Sequence, residues 1–183
     1  MTSLLTEPVT MTLEAFLQFS GQQDDGNHYE LDEGELITLS PTGYPHARRI
    51  MIIGAYLSQR LDRSVYDVIG GEAGIIMALD PKPTVRGMDI AVLHRPEQRP
   101  EGMLRQPPLL IVEVISPSNT SVYMERKRRQ YQTFGTQEVW FVYEEAQSIH
   151  IYRQGKPEFL VCEPPAVFES SLGLTIETKE LFV

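Results

Sequence analysis

The stretch PPLLIVEVISPSN, Pro107 to Asn119, decides how this chain folds. It runs apolar from Leu109 to Val112, meets a carboxylate at Glu113, and resumes with Val114 and Ile115. A strand period of two puts Leu109, Ile111, Glu113 and Ile115 on one face and Leu110, Val112 and Val114 on the other. Both faces are apolar, the pattern of a strand covered on both sides. An unpaired carboxylate in such an interior costs several kcal/mol or more, so Glu113 calls for a partner. MDIAVL, Met88 to Leu93, repeats the anomaly with Asp89, set opposite Met88, Ile90 and Val92 after a KPTVRG loop. A divalent cation between two such carboxylates would relieve a cost that neither bears easily alone.

The elements around these strands define the fold class. Thr10 to Phe19 has helical spacing, with Thr12 or Thr10 as its cap. HYELDEGELITLS reads as two strands around a turn at Asp32, Glu33 and Gly34. A Pro41 to Pro45 loop precedes a helix over HARRIMIIGAYLSQRL, and the segment from Val65 to Leu79 reads as strands with a turn or bulge at GGEAG. That glycine run lacks the Gly-Lys-Ser/Thr ending of a phosphate loop, and no organic cofactor is expected. Val122 to Phe134 is a helix ended by Gly135, and QEVWFVYEEAQSIHIYR is a hairpin turning near Glu144 to Gln147. The order predicts an α/β (α+β) domain with a central mixed sheet flanked by helices.

Within the later helix Tyr123, Lys127, Tyr131 and Phe134 fall on one face, so a lysine is centred on an otherwise aromatic stripe. It either snorkels to solvent along its own stem or reaches the carboxylate pair. Asp, Glu and Lys in this arrangement suit metal-assisted phosphodiester hydrolysis, with Mg2+ on the carboxylates and the lysine placing a water or offsetting charge. Mn2+ is a possible substitute.

Composition sets bounds on this reading. A chain of 183 residues is long enough to bury roughly two-thirds of its unfolded surface in one domain. A net charge of −9 weighs against binding nucleic acid through a broad basic face, though not against a carboxylate-rich metal site. The single Cys162 can form no internal disulfide, and MTSLLTEPVT has neither a basic start nor a long apolar run; a cytoplasmic protein is expected. No apolar run approaches the roughly 20 residues of a membrane span.

Four segments, YELDEGELITLSPTGYPH, MDIAVL, PLLIVEVISPSN and KRRQYQTFGTQEVWFVY, together resemble the PD-(D/E)XK nuclease superfamily, and more narrowly its Uma-two family of restriction endonuclease-like proteins. The resemblance runs from Tyr29 to Tyr143. It implies a restriction-endonuclease-like fold over residues 1–183, with an N-terminal helical extension at 1–27, a family core at 28–143 and C-terminal strands at 144–183. It further implies a metal site at Asp89 and Glu113 and an essential lysine. The superfamily's simplest pattern has that lysine two residues after the glutamate, where Ile115 stands; this family resembles members whose lysine has moved to the next helix, at Lys127.

Glu30, as an extra metal or helix-side carboxylate, and His46 match further polar positions of the family. Met88 replaces the usual proline and Tyr123 a common aspartate. DNA is the implied substrate and a homodimer the implied assembly. Arg48, Arg126, Arg128 and Arg129 are candidate phosphate contacts, or a solvated helix face. Ser116 and Ser118 read as loop and cap residues. Two alternatives stay open: a nuclease fold without catalysis that binds nucleic acid or protein, favoured by Met88, Tyr123 and Ile115, and a nuclease acting on RNA.

Overall fold

The computed structural model describes residues 9–116 and 119–183. In chain order the elements are α1 (Leu13–Ser20), β1 (His28–Asp32), β2 (Glu35–Leu39), α2 (Tyr44–Arg60), β3 (Tyr66–Ala78), β4 (Thr84–His94), β5 (Leu110–Ile115) and α3 (Ser121–Phe134). They continue with β6 (Glu138–Tyr143), β7 (Ser148–Arg153), β8 (Phe159–Cys162), β9 (Val167–Glu169), β10 (Thr175–Glu177) and α4 (Thr178–Leu181). An eight-stranded sheet runs β2-β1-β4-β5-β6-β7-β8, with β3 also paired to β4. All its pairings are antiparallel except β5 with β6. Parallel neighbours need a crossover connection, and α3 supplies it.

β5 is the centre of the molecule, as its two apolar faces predict. Leu110, Val112 and Val114 pack with Ile53, Leu57 and Trp140 on the α2 side. Ile111 and Ile115 pack with Tyr131, Met124 and Phe141 on the α3 side. The small β9–β10 sheet and α4 close the α2 side through Phe168, Ile176 and Leu181. Fully burying side chains of this size contributes roughly 1.5–3 kcal/mol each, so the two clusters fix both helices against the sheet. Among the described residues no helix is long and apolar enough to cross a membrane.

Local signals explain the ends of the elements. Thr12 caps α1 by accepting from the Ala15 amide at 3.2 Å, and Thr120 caps α3 by accepting from the Tyr123 amide at 3.2 Å. Ser116 lies in the loop before α3, its amide donating to Asn119 Oδ1 at 2.8 Å. Ser118 lies outside the described residues. The β1–β2 turn holds Glu33 and Gly34 at φ 51° and 93°, the pair of positive values that a two-residue hairpin turn needs.

Three sequence readings change. The TVRG of the expected KPTVRG loop belongs to β4, which begins at Thr84 and buries Arg86 completely. The segment from Val65 to Leu79 is largely one long strand, β3, whose register slips between Gly70 and Ala73. Met88 and Ile90, expected on one face, enter the α3-side and α2-side clusters respectively.

Candidate active site

The β4–β5 ladder pairs Ile90 to Val92 with Leu110 to Val112 and extends no further toward Asp89 and Glu113. Just past its end Asp89 Oδ2 accepts the Val114 amide at 2.7 Å, so a side chain replaces the next ladder bond. The split opens one end of a cleft of about 510 Å³. Its lining includes His46, Glu72, Asp89, Glu113, Tyr123 and Lys127.

Lys127 comes from α3 and Glu113 from β5, and Lys127 Nζ donates to Glu113 Oε2 at 3.0 Å. The aromatic stripe supports this contact: Tyr131 is fully buried and its hydroxyl donates to Glu113 Oε1 at 2.6 Å. Burial is the largest influence on Glu113; with the nearby Asp89 charge it pushes the carboxyl up to about 8 against the pull of Lys127. Burial opposes the charge on Lys127, but Glu113 and Glu30 outweigh it and hold the ammonium well above its usual range. At neutral pH Lys127 is therefore a donor and not a base.

Glu30 stands behind the lysine. Its Oε1 lies 3.2 Å from Lys127 Nζ and accepts the Gly87 amide at 2.9 Å. Its Oε2 accepts from Arg86 Nη1 at 2.8 Å and from the Tyr123 hydroxyl. Burial works against the Glu30 charge, yet Lys127 and Arg86 hold it below the usual carboxylate range. Tyr123, the departure from the family's aspartate, is thus part of the clamp on Glu30. Arg86 also meets Asp32 Oδ1 at 2.8 Å, and its Nη2 donates to Gln130 Oε1 at 2.8 Å.

His46, in the first turn of α2, places Nε2 2.8 Å from the Val114 carbonyl and 3.3 Å from Asp89 Oδ2. Burial lowers its proton affinity, but the hydrogen bond and charge of Asp89 raise it overall. One N–H group thus meets two hard oxygen atoms.

The remaining candidates lie outside the cleft lining. Arg126 is paired with Asp32 at 3.0 Å, while Arg128 and Arg129 both engage Glu125. Arg48 Nη1 donates to the Val183 carbonyl at 2.7 Å.

Sequence reasoning missed Arg86 and Glu72. Arg86 is hidden because a pattern reader assigns arginine to solvent, whereas here three polar partners offset its burial. Glu72 carried a usable signal, a glycine pair inside a strand pattern, which marks a bulge.

The donor set fits a hard divalent cation. Asp89 and Glu113 side chains and the Val114 carbonyl offer oxygen atoms, and Mg2+ is commonly held by one or two carboxylates with water completing its shell. Among the described residues no group of three or more His, Cys, Asp or Glu is disposed to hold a metal.

No curated protein matches the chain. A solved structure described as "a putative nuclease belonging to DUF820", from Anabaena variabilis ATCC 29413, is 21% identical. The alignment covers 94% of this chain and 97% of that one at a TM-score of 0.73. At that identity the likeness establishes the fold, a helix-flanked mixed sheet. A family model described as "Putative restriction endonuclease" matches residues 13–178, from the start of α1 into α4. Residues that one strand, its neighbour and the following helix bring to a single cleft are therefore read within a family frame: the chain belongs to the Uma2 family.

Proposed function

We propose that the chain is a Mg2+-dependent endonuclease that hydrolyses phosphodiester bonds of DNA. The observation that carries the reading is the 3.0 Å contact of Lys127 Nζ with Glu113 Oε2 in the cleft that Asp89 also lines. Asp89 and Glu113 would hold the cation, which when bound polarises the phosphoryl group and acidifies a water. Lys127 donates from a fixed position, orienting the attacking water and offsetting charge that grows in the transition state. Glu30 keeps that ammonium in place and protonated; its oxygens already serve four donors, which suits holding the lysine better than holding metal. Thr38, Ser40, Thr42 and Asn119 on the cleft rim supply neutral polar groups suited to phosphate and sugar contacts. Mn2+ fits the same oxygen donors. A homodimer suits cutting of both strands, on analogy with the family's description. Cytoplasmic residence accords with a lone buried thiol.

The test is plasmid cleavage by the purified chain in Mg2+ and in chelator, with Asp89→Asn beside the parent. Nicking by the parent in metal alone, lost in Asp89→Asn, is expected. The sparse ligand set also favours a second reading, a nuclease fold that binds without cutting. Retarded migration of DNA by a parent that never cuts would select it.

A further inference from the structure

We infer that the aromatic face of β6, β7 and β8 is a stacking platform for an unpaired DNA strand running out of the cleft; the inference rests on the proposed function above. Under α3 the β6 side chains Val139 and Phe141 are buried. On the same face His150 pairs with Phe141, Tyr152 with Val139, and Phe159 with Tyr152, while Tyr143 follows Phe141 by two residues. Burial fails there: Tyr143, His150 and Tyr152 are half-buried and Phe159 is 47% exposed. A solvated sheet face ordinarily turns polar residues to water, so a run of rings calls for a ligand. Ring centres lie 4.5 Å apart from Tyr143 to His150, 5.4 Å from His150 to Phe159 and 4.9 Å from Phe159 to Tyr152. The Arg128 guanidinium ends the run, 5.1 Å from the Tyr152 ring centre.

The run begins at the cleft. β5 and β6 are parallel with Ile115 beside Tyr143, and Ile115 shares the face of Glu113 and precedes Ser116 of the cleft lining. A strand with a phosphate at Glu113 and Lys127 would therefore meet Tyr143 first, then His150 and Phe159. β8 lies three strands from β5, about 14 Å at the usual spacing, which a few nucleotides span. The face suits bases better than a second copy of the chain. Every base has a π-face that aromatic rings and arginine hold without reading sequence, and stacking needs no net positive charge, which fits a chain of net charge −9. The exposed part of the four rings is roughly 300 Å², well short of the about 800 Å² that each partner of a stable protein complex buries. Lys156 and Pro157 before β8, and Pro164 and Pro165 after it, blunt its edge against pairing with another strand.

The test reads binding of the full chain to a labelled oligothymidine of about 12 nucleotides by fluorescence anisotropy in chelator. Phe159→Leu and His150→Leu keep apolar bulk and remove a ring. Each should leave Tm unchanged and weaken binding about fivefold or more, whereas Phe159→Trp should bind at least as tightly as the parent. An abasic strand of the same length keeps the phosphates without the bases, and should bind all four proteins weakly and alike. Oligothymidine held equally by the parent and both leucine variants, or no better than the abasic strand, would overturn the inference; Mg2+-dependent nicking by the same parent would leave the proposed function standing. A parent dimer that Phe159→Leu dissociates in sedimentation, with oligothymidine binding unchanged, would assign the face to a second copy and overturn it as well. A parent that never nicks yet loses oligothymidine on Phe159→Leu keeps the platform and removes the cutting.

Discussion

Replacing Lys127 with methionine keeps the length and packing of the side chain and deletes its charge. In the parent Lys127 is 5% exposed, and its ammonium holds Glu113 at 3.0 Å and Glu30 at 3.2 Å. Removing one partner of a buried ion pair costs about 3–5 kcal/mol. Two features of the site place this loss near the lower end at neutral pH. Glu30 keeps Arg86, the Gly87 amide and Tyr123, so it stays compensated. Glu113, already pushed up to about 8, rises further without the lysine and escapes its cost by keeping a proton. A loss of about 3 kcal/mol corresponds to about 6 to 12 °C in Tm for a domain of this size. Because protonation relieves Glu113, the loss should shrink toward pH 6 and grow toward pH 9, by up to about 1.4 kcal/mol per pH unit. Thermal unfolding of parent and Lys127→Met in chelator at pH 6, 7, 8 and 9 reads this directly. Metal binding should survive, while DNA cleavage should fall by about 100-fold or more. A variant as stable as the parent at every pH, and still cutting, would show that the lysine faces solvent and that the site is misassigned.

Three more outcomes follow from the same geometry. Glu113 binds its proton up to about 8 when folded but only to 4.5, the ordinary glutamate value, when unfolded, so its contribution to metal-free stability is full below 4.5 and is lost as pH rises through 8. Subtracting Glu113→Gln urea curves from parental ones between pH 4.5 and 8 should isolate that slope, and saturating Mg2+ should flatten it. Arg86→Met should cost about 3–5 kcal/mol in the same urea assay by stranding Glu30 and Asp32, and Arg86→Lys should restore only part, because a lysine cannot span both carboxylates and Gln130 as a guanidinium does. Arg129, which is 72% exposed, should leave Tm unchanged when converted to alanine; if it contacts phosphate, the salt slope of DNA binding in chelator should fall by about one.

The sequence made the two central strands, the helix after them and the lysine's face legible because each is a short-range pattern. Period two in LLIVEVI and helical spacing from Tyr123 to Phe134 survive any tertiary arrangement. What stayed hidden depends on register across the sheet. Glu72 acquires its place only because β3 slips by one residue opposite Asp89, and no local pattern encodes which residue a bulge will face. Arg86 reads as a loop cation until Glu30, Asp32 and Gln130 are brought around it from β1 and α3. Glu30 could be read as a candidate metal ligand because its carboxylate is visible in sequence, whereas the four donors that occupy it come from residues 86, 87, 123 and 127. β9, β10 and α4 are too short for their periodicity to separate one element from the next.

The central claim is that the cleft between β4, β5 and α3 binds a divalent cation at the carboxylates beside Lys127. Anomalous diffraction from crystals grown with Mn2+ measures this most directly. The account predicts a peak within about 2.3 Å of oxygen atoms from Asp89 and Glu113, with the Lys127 ammonium beside it and outside ligand distance. A peak elsewhere with the cleft carboxylates still bound only to Lys127, Tyr131 and His46, or no peak at millimolar Mn2+, would contradict it.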